Sequence, residues 1–410
     1  MNHLVGGISS SARVLPSLDG AALTIARSEG PYLFGDDGRR YVDTALGFGG
    51  ILLGHADPAV TGAAIAALRN GSLPAFSHAG EERAAAALAR HVGSLRKTVF
   101  TSSGSEAVHL ACRIARLATG RAQVAKMAAG FDGWLDEIAF GNVATPEAAF
   151  PGGGRPTNGR TTLLRFNDFD DVERLFAEHD DIAAIVYEPM LANAACLVPD
   201  EGYLKHVEAV ARRHGALLIA DEVLMGFRLH AGLTSHLFGL DPDIATVGKA
   251  VGNGIPVAAV VARADVTDAF EARHGLRGGT YSGNPMSCAA VEATLQRLDT
   301  MDYGALTRRG DALRQFIETC FANEGITVRT SGYGMVFSLW FADAAPASYD
   351  RAAPMADPAK SLRLHLELRR RGALVMPSAY GRLYLSFAHD DEACDLLRGA
   401  LTGAAAAMAG

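Results

Sequence analysis

Along the middle of the chain, short runs rich in Val, Ile and Ala alternate with longer stretches in which apolar positions recur every three or four residues. The first pattern is that of strands buried on both faces, the second that of helices with one apolar stripe. Their alternation predicts an α/β fold built on a mainly parallel sheet covered by helices. The predicted strands span residues 97–102, 123–127, 182–188, 216–221, 244–247 and 256–261. Within residues 201–214, Leu204, Val207 and Ala211 lie at helical spacing, and Gly215 then ends the helix at low steric cost. Residues 141–159 (GNVATPEAAFPGGGRPTNG) are rich in Gly and Pro and lack periodicity, which predicts a long loop of the kind that often carries function. Beyond about residue 300 the pattern loosens into separated helices, with strands expected within 327–341, 374–376 and 383–387, and marks a second domain. The closing GAAAAMAG reads as a helix end or a frayed terminus.

Composition narrows the class. At 410 residues and 43.0 kDa, the chain suits one large domain with a smaller one beside it. Hydrophobic residues at 49% and charged residues at 20% are those of a compact globular protein rather than a disordered one. The formal charge of -7 is spread without a block of like charges, so neither nucleic acid nor a membrane surface is an expected partner, and small molecules are. The best apolar run, GALLIA, stops at Asp221 and Glu222, too short to cross a bilayer. The opening MNHLVGGISSSAR lacks the basic-then-apolar order of a secretory leader. Cys112, Cys196, Cys288, Cys320 and Cys394 are scattered with no CxxC pair, so no metal is expected and the thiols are expected to be reduced, as in a cytoplasmic protein.

The strongest local feature is ALLIADEVLMGFR followed by DPDIATVGKAVGNGIPVAAVV, which puts an acid at the carboxyl end of a strand and a lysine in a glycine-rich turn. Such strand ends line ligand sites in open α/β sheets. Because side chains alternate across a strand, Asp221 and Val223 share one face and Glu222 points to the other. A carboxylate beside a branched aliphatic wall suits a flat pyridinium ring, whose nitrogen the carboxylate keeps protonated so that the ring can act as an electron sink. Lys249 supplies a primary amine able to condense with an aldehyde and, once freed, to act as general base. Gly248 and Lys249 do not form a P-loop, since Asp243 and Ala250 stand where that motif needs Gly and Ser or Thr. The absence of GxGxxG after an early strand argues against a simple dehydrogenase. In TSSGSEAVHLACRIARLATG, the small residues 102–105 open a well-patterned helix and offer backbone donors to a phosphate, although alone they would read as an ordinary helix cap.

Together with GGISSSAR, GPYLFGDDGRRYVD, LLGHADP, YEPMLAN, GTYSGNP and PSAY…LSFAH, these segments run in order from about Gly6 to His389. The whole resembles the class III pyridoxal phosphate-dependent aminotransferases of fold type I, most closely their glutamate-1-semialdehyde 2,1-aminomutase branch. The resemblance implies a large domain (56–299) with a mainly parallel seven-stranded sheet and pyridoxal 5'-phosphate as cofactor. It also implies a smaller α+β domain (300–410), an N-terminal segment (1–55) packed with it, and a homodimer with active sites at the interface.

On the same basis, Lys249 is the Schiff-base lysine and Asp221 the partner of the pyridine nitrogen. Val223 packs on one ring face, and Phe131 in GFDGW stacks on the other. Ser103, Gly104 and Ser105 hold the phosphate, and Thr280 reaches the phosphate of the neighbouring subunit. Asn193 stands where the aminomutases have an asparagine near the cofactor's phenolic oxygen, and Glu188 matches a family acid with a structural role. Arg13, with Ser10 and Phe48, matches the pocket for the substrate carboxylate, a task suited to a planar bidentate donor.

Three departures stand out: Asp132 replaces a histidine, Gly381 followed by Arg382 replaces the aminomutase glutamate, and residues 146–159 do not resemble a mutase gate. The expected activity is therefore amino transfer from a carboxylate-bearing, amino acid-like donor to a carbonyl acceptor. The alternatives are intramolecular transfer of the aminomutase type, and a cofactor-binding protein without catalysis, against which the intact Lys249 and Asp221 argue.

Overall fold

The computed structural model describes residues 3–149 and 154–410. The chain begins with three short antiparallel strands, β1 (Ile25–Glu29), β2 (Tyr32–Gly35) and β3 (Arg40–Asp43). Seven more build the central sheet: β4 (Lys97–Thr101), β5 (Gln123–Met127), β6 (Thr161–Leu164), β7 (Ile182–Tyr187), β8 (Leu217–Glu222), β9 (Ile244–Gly248) and β10 (Ala258–Ala262). Their order is β4-β10-β9-β8-β7-β5-β6, and only β10 runs against its neighbours. The six strands predicted from pattern are all present. The seventh, β6, is a four-residue TTLL directly behind the Gly/Pro-rich loop, too short to carry a period of its own.

β7, β9 and β10 are buried at every position, as strands covered on both faces must be. The helix Gly104–Thr119 turns Ala107, Val108, Ala111, Ile114 and Ala115 toward the sheet, where they meet Val124, Val186, Ile219, Ile244 and Val260. Its many alanines let the helix axis lie close to the strands, which brings its N-terminus to the carboxyl end of β8. The helix Tyr203–Arg213 ends as expected, with Gly215 at φ +64 before β8 resumes.

In the C-terminal part, the run expected within 327–341 is two strands, β11 (Arg329–Tyr333) and β12 (Val336–Trp340), reversing at Gly334, where φ is +42. β13 (Ala373–Leu374) does not join them but pairs in parallel with β3, so the two ends of the chain share a four-stranded sheet. β14 (Arg382–Tyr384) lies antiparallel to β12. The alanine-rich close is the packed end of the helix Asp391–Ala409, with Ala404, Ala405 and Met408 buried, rather than a frayed tail. Among the described residues, no helix is long and apolar enough to cross a membrane.

The alternation expected at the end of β8 is present. Glu222 is fully buried on the face away from Asp221 and accepts bonds from Thr234 N–H (3.1 Å), Ser235 N–H (2.7 Å) and Ser235 hydroxyl (2.6 Å). Burial raises its carboxyl from 4.5 to about 7, against those hydrogen bonds. The folded protein therefore keeps a proton that the unfolded chain has released between these values. The stabilising contribution is complete below pH 4.5 and is lost as the pH rises through about 7. In chemical denaturation, wild type should lose on the order of 3 kcal/mol of stability relative to Glu222→Gln between pH 4.5 and pH 8. Parallel pH profiles for the two proteins would refute this assignment.

Candidate active site

The carboxyl ends of β8 and β9 carry the acid and the lysine. Asp221 is 4% exposed; Val223 N–H and Thr246 hydroxyl, the latter on β9, both donate to its Oδ1 at 2.9 Å. Two residues beyond Thr246 the strand ends, and Lys249 sits in the left-handed region at φ +46. Holding a non-glycine residue there costs on the order of 1–3 kcal/mol and requires a supporting frame. Asn253 supplies part of it, accepting from Leu52 and Leu53 N–H (both 2.9 Å) and donating to Gly54 carbonyl (3.0 Å), which ties the lysine turn to the N-terminal segment.

Lys249 faces a cavity of about 160 Å³ together with Asp132, Glu188 and Asp221. Burial, and then the charge of Arg382, lower the Lys249 amine to about 8, while Asp221 and Glu188 pull the other way. Burial, then Asp132 and Glu188, push the Asp221 carboxyl well above the usual carboxylate range. Burial and Asp132 likewise raise Glu188 to about 7, although its oxygens accept from Phe131 N–H (2.9 Å) and Ala192 N–H (3.3 Å). A cavity this dense in acids favours a cationic ligand group near Asp221.

The helix Gly104–Thr119 opens on the same cavity. Ser103 caps it, and Glu106 folds back to accept from Ser102 N–H (2.8 Å) and Ser103 N–H (2.9 Å). The leading amides of Gly104 and Ser105 have no partner within the helix and suit an anion. Residue 104 has to be glycine, since a Cβ would lie 2.7 Å from Val223 Cγ1. The turn at residues 130–134 seats on the helix start: a Cβ on Gly133 would be 3.0 Å from Ser105 Cα, and Trp134 N–H donates to Ser105 Oγ (3.3 Å).

That turn rests on a network the sequence reading missed. Lys126, on β5, is fully buried, lies 2.8 Å from Asp132 Oδ2 and donates to Asn142 Oδ1 (2.6 Å) and Ile138 carbonyl (2.9 Å). Asn142 in turn donates to Gly133 carbonyl at 2.7 Å. A lysine inside a strand whose last four residues are buried was the available signal, for such a charge needs a partner. Asp132 is that partner.

Of the residues singled out in the sequence, Gly104, Ser105, Phe131, Asn193, Asp221, Val223 and Lys249 line this one cavity. Ser103 is the cap at its rim. Thr280 is exposed and borders a different hollow, shared with residues 73–78. Arg13 is exposed in the short turn Ser11–Arg13, with Ser10 just before it. Phe48 lies at φ +58 in the turn Leu46–Gly49. None of Arg13, Ser10 and Phe48 lines the lysine cavity. The expected loop at 141–159 falls partly outside the described residues; its described part includes the turn Pro146–Ala149.

A family model described as aminotransferase class-III matches residues 16–332. Among solved structures, an omega-transaminase from Sphaerobacter thermophilus is 28% identical, with 98% of this chain and 95% of that chain covered at a TM-score of 0.86. A glutamate-1-semialdehyde-aminomutase from Pseudomonas aeruginosa PAO1 is 27% identical over 94% and 88% of the two chains, with a TM-score of 0.84. A β-phenylalanine aminotransferase from Variovorax paradoxus is 28% identical over 98% and 90%, again with a TM-score of 0.84.

The buried ion pair is open to a double-mutant test. Lys126→Met, which strands Asp132 without its cation, should lose about 3–5 kcal/mol in urea denaturation, and K126M/D132N should regain at least half of that loss. Additive losses would mean that the two side chains do not act as a pair.

Proposed function

Since the chain belongs to the class III aminotransferase family, whose members are pyridoxal phosphate-dependent enzymes of fold type I, we propose that it transfers an amino group from a carboxylate-bearing, amino acid-like donor to a separate carbonyl acceptor, with Lys249 as the residue that holds the cofactor. The observation that carries this reading is the convergence of Lys249, Asp221, Asn193, Val223, Phe131 and the helix start at Gly104 on one cavity. The residues fit the cofactor. Asp221 is a buried acid whose two protein bonds both fall on Oδ1, and a protonated ring nitrogen is the cation it lacks. The amides of Gly104 and Ser105 suit the phosphate, Val223 and Phe131 offer surfaces to the ring, and Asn193 is available to the phenolic oxygen. When bound, pyridoxal phosphate supplies an aldehyde and a protonated ring that draws electrons away from the substrate carbon.

The chain's own part is positional and acid–base. With the cofactor bound, Asp221 would keep the ring nitrogen charged. Lys249 would hold the aldehyde carbon and, once freed, would be the base that moves a proton at the substrate carbon. An amine lowered to about 8 suits that task, since it gives up its proton near neutral pH, where an ordinary lysine does not. Thr280, exposed in the single chain and far from being walled in, supports a homodimer in which it serves the partner's cofactor phosphate. The exposed Phe76 and Tyr281 near it are apolar surface that a second copy would cover.

Asn193 on the cavity wall also supports a second reading, the intramolecular transfer of an aminomutase. Gly381 and Arg382 in place of the glutamate favour the intermolecular one. The test is the visible spectrum of the purified protein during titration with single amino compounds and no carbonyl acceptor. Wild type should show the absorption of cofactor covalently held by Lys249 and lose it stoichiometrically to a donor, leaving the pyridoxamine form. Lys249→Ala should lack that absorption and turn over at least ~100-fold more slowly. If instead only an amino-aldehyde responds, giving an isomer without acceptor, the mutase reading holds; if no such absorption forms after cofactor is added, both fail.

A further inference from the structure

The helix Gly104–Thr119 ends on a second cavity, of about 540 Å³, far from the one its start opens on. At 1.5 Å per residue the two lie about 20 Å apart along the helix axis. Arg113 and Arg116 of the helix line this second cavity, with Arg121 from the turn that follows, Arg160 just before β6 and Arg273 just after the helix Ala264–Ala272. Glu137 and Asp181 are the carboxylates in its wall. Five guanidiniums against two carboxylates leave a net charge of +3, in a chain whose formal charge is -7.

Local structure accounts for part of this charge. Arg116 donates to Glu137 Oε2 and to Ala122 carbonyl, both at 2.8 Å, and Arg160 shares Glu137 at 3.4 Å. Arg273 donates to Ala118 carbonyl at 2.8 Å, as a cation at a helix C-terminus does. Arg121 donates to the carbonyls of Ile182 (2.9 Å) and His214 (3.0 Å). Asp181 is occupied by Ala122 N–H, 3.1 Å from each of its oxygens. Glu137 is thus matched twice over, while Arg121 and Arg273 have only neutral carbonyls as partners. Arg113 is exposed and forms no hydrogen bond or ion pair among the described residues. Three guanidiniums from three segments therefore line one space, and none is paired with a carboxylate.

A planar carboxylate meets a single guanidinium edge to edge. A phosphate directs its oxygens several ways and carries more charge, so cations converging from separate segments suit it better. The volume is that of a small-molecule site. We infer that this cavity binds a small oligophosphate, the chemistry shared by pyrophosphate and the phosphate tail of a nucleotide, with Arg113, Arg121 and Arg273 as its receptors and Glu137 as the group that limits its affinity. The site is separate from the Lys249 cavity, and the inference stands whether or not amino transfer occurs there.

The test is calorimetric titration with sodium pyrophosphate, at low ionic strength, of protein loaded with pyridoxal phosphate and freed of the excess. Loading keeps the amides of Gly104 and Ser105 out of competition. Wild type should bind pyrophosphate saturably, one per chain. Arg113→Glu replaces an exposed side chain that has no partner to lose; it should keep the cofactor absorption and weaken pyrophosphate binding at least about 10-fold, with Arg113→Gln in between. Glu137→Gln removes the competing carboxylate and should tighten binding about 2- to 5-fold. ADP in place of pyrophosphate identifies the source of the phosphates: tighter binding supports a nucleotide, and equal or weaker binding supports free pyrophosphate, at the same site. Absence of saturable binding in wild type would overturn the inference, as would equal affinities in wild type and R113E.

Discussion

The structure depends on an acid buried where it cannot easily ionise alone. Asp221 sits at the carboxyl end of the fourth strand in the order of the central sheet, nearly inaccessible, with Asp132 and Glu188 adding negative charge around it. Such a group either keeps its proton or has a cation brought to it. Everything around it answers that constraint. Thr246 and Val223 fix one carboxyl oxygen, Lys249 stands across the cavity as an amine with weakened hold on its proton, and the open side suits a positively charged ring. In the amino-transfer chemistry proposed above, the buried acid would become the ion partner of a protonated ring and so help make that ring an electron sink.

The sheet makes the arrangement geometrically possible. Alternation along β8 separates two neighbouring acids by function: Asp221 faces the cavity and Glu222 is consumed by Thr234 and Ser235 on the far side. The alanine-rich face of Gly104–Thr119 lies flat on the strands and so aims the helix start at the cavity, where glycine at 104 leaves room for Val223. The turn that carries Phe131 would have no rigid base without Lys126. One buried lysine holds Asp132, Ile138 and Asn142 together, and Asn142 holds Gly133.

The remaining walls come from the two ends of the chain. β3 and β13 pair in parallel, so residues 25–43 and 373–374 share one sheet, and Asn253 ties the lysine turn to residues 52–54 just beyond it. Tyr384 and Arg382 enter from the C-terminal strands, and Arg228 reaches them from the loop after β8 through Gly49. Contacts between Arg228, Gly49 and Tyr384 thereby join segments more than three hundred residues apart.

What the sequence determined by itself was whatever repeats locally. Fully apolar strands, helices with an alanine face, the alternation of Asp221 and Val223 and the capping pattern at 103–106 are all properties of neighbours, and each could be read from spacing before any contact was known. β6 was missed because four residues carry no period, and the single run at 327–341 was a hairpin because only pairing reveals where a strand reverses. The tertiary structure alone decided which charges share a low-dielectric space. It joined Lys126 to Asp132, drew Arg382 and Arg228 around Tyr384, and left Arg13 on the surface. Ion pairing and desolvation depend on distance through space, and distance through space is not a property of sequence spacing.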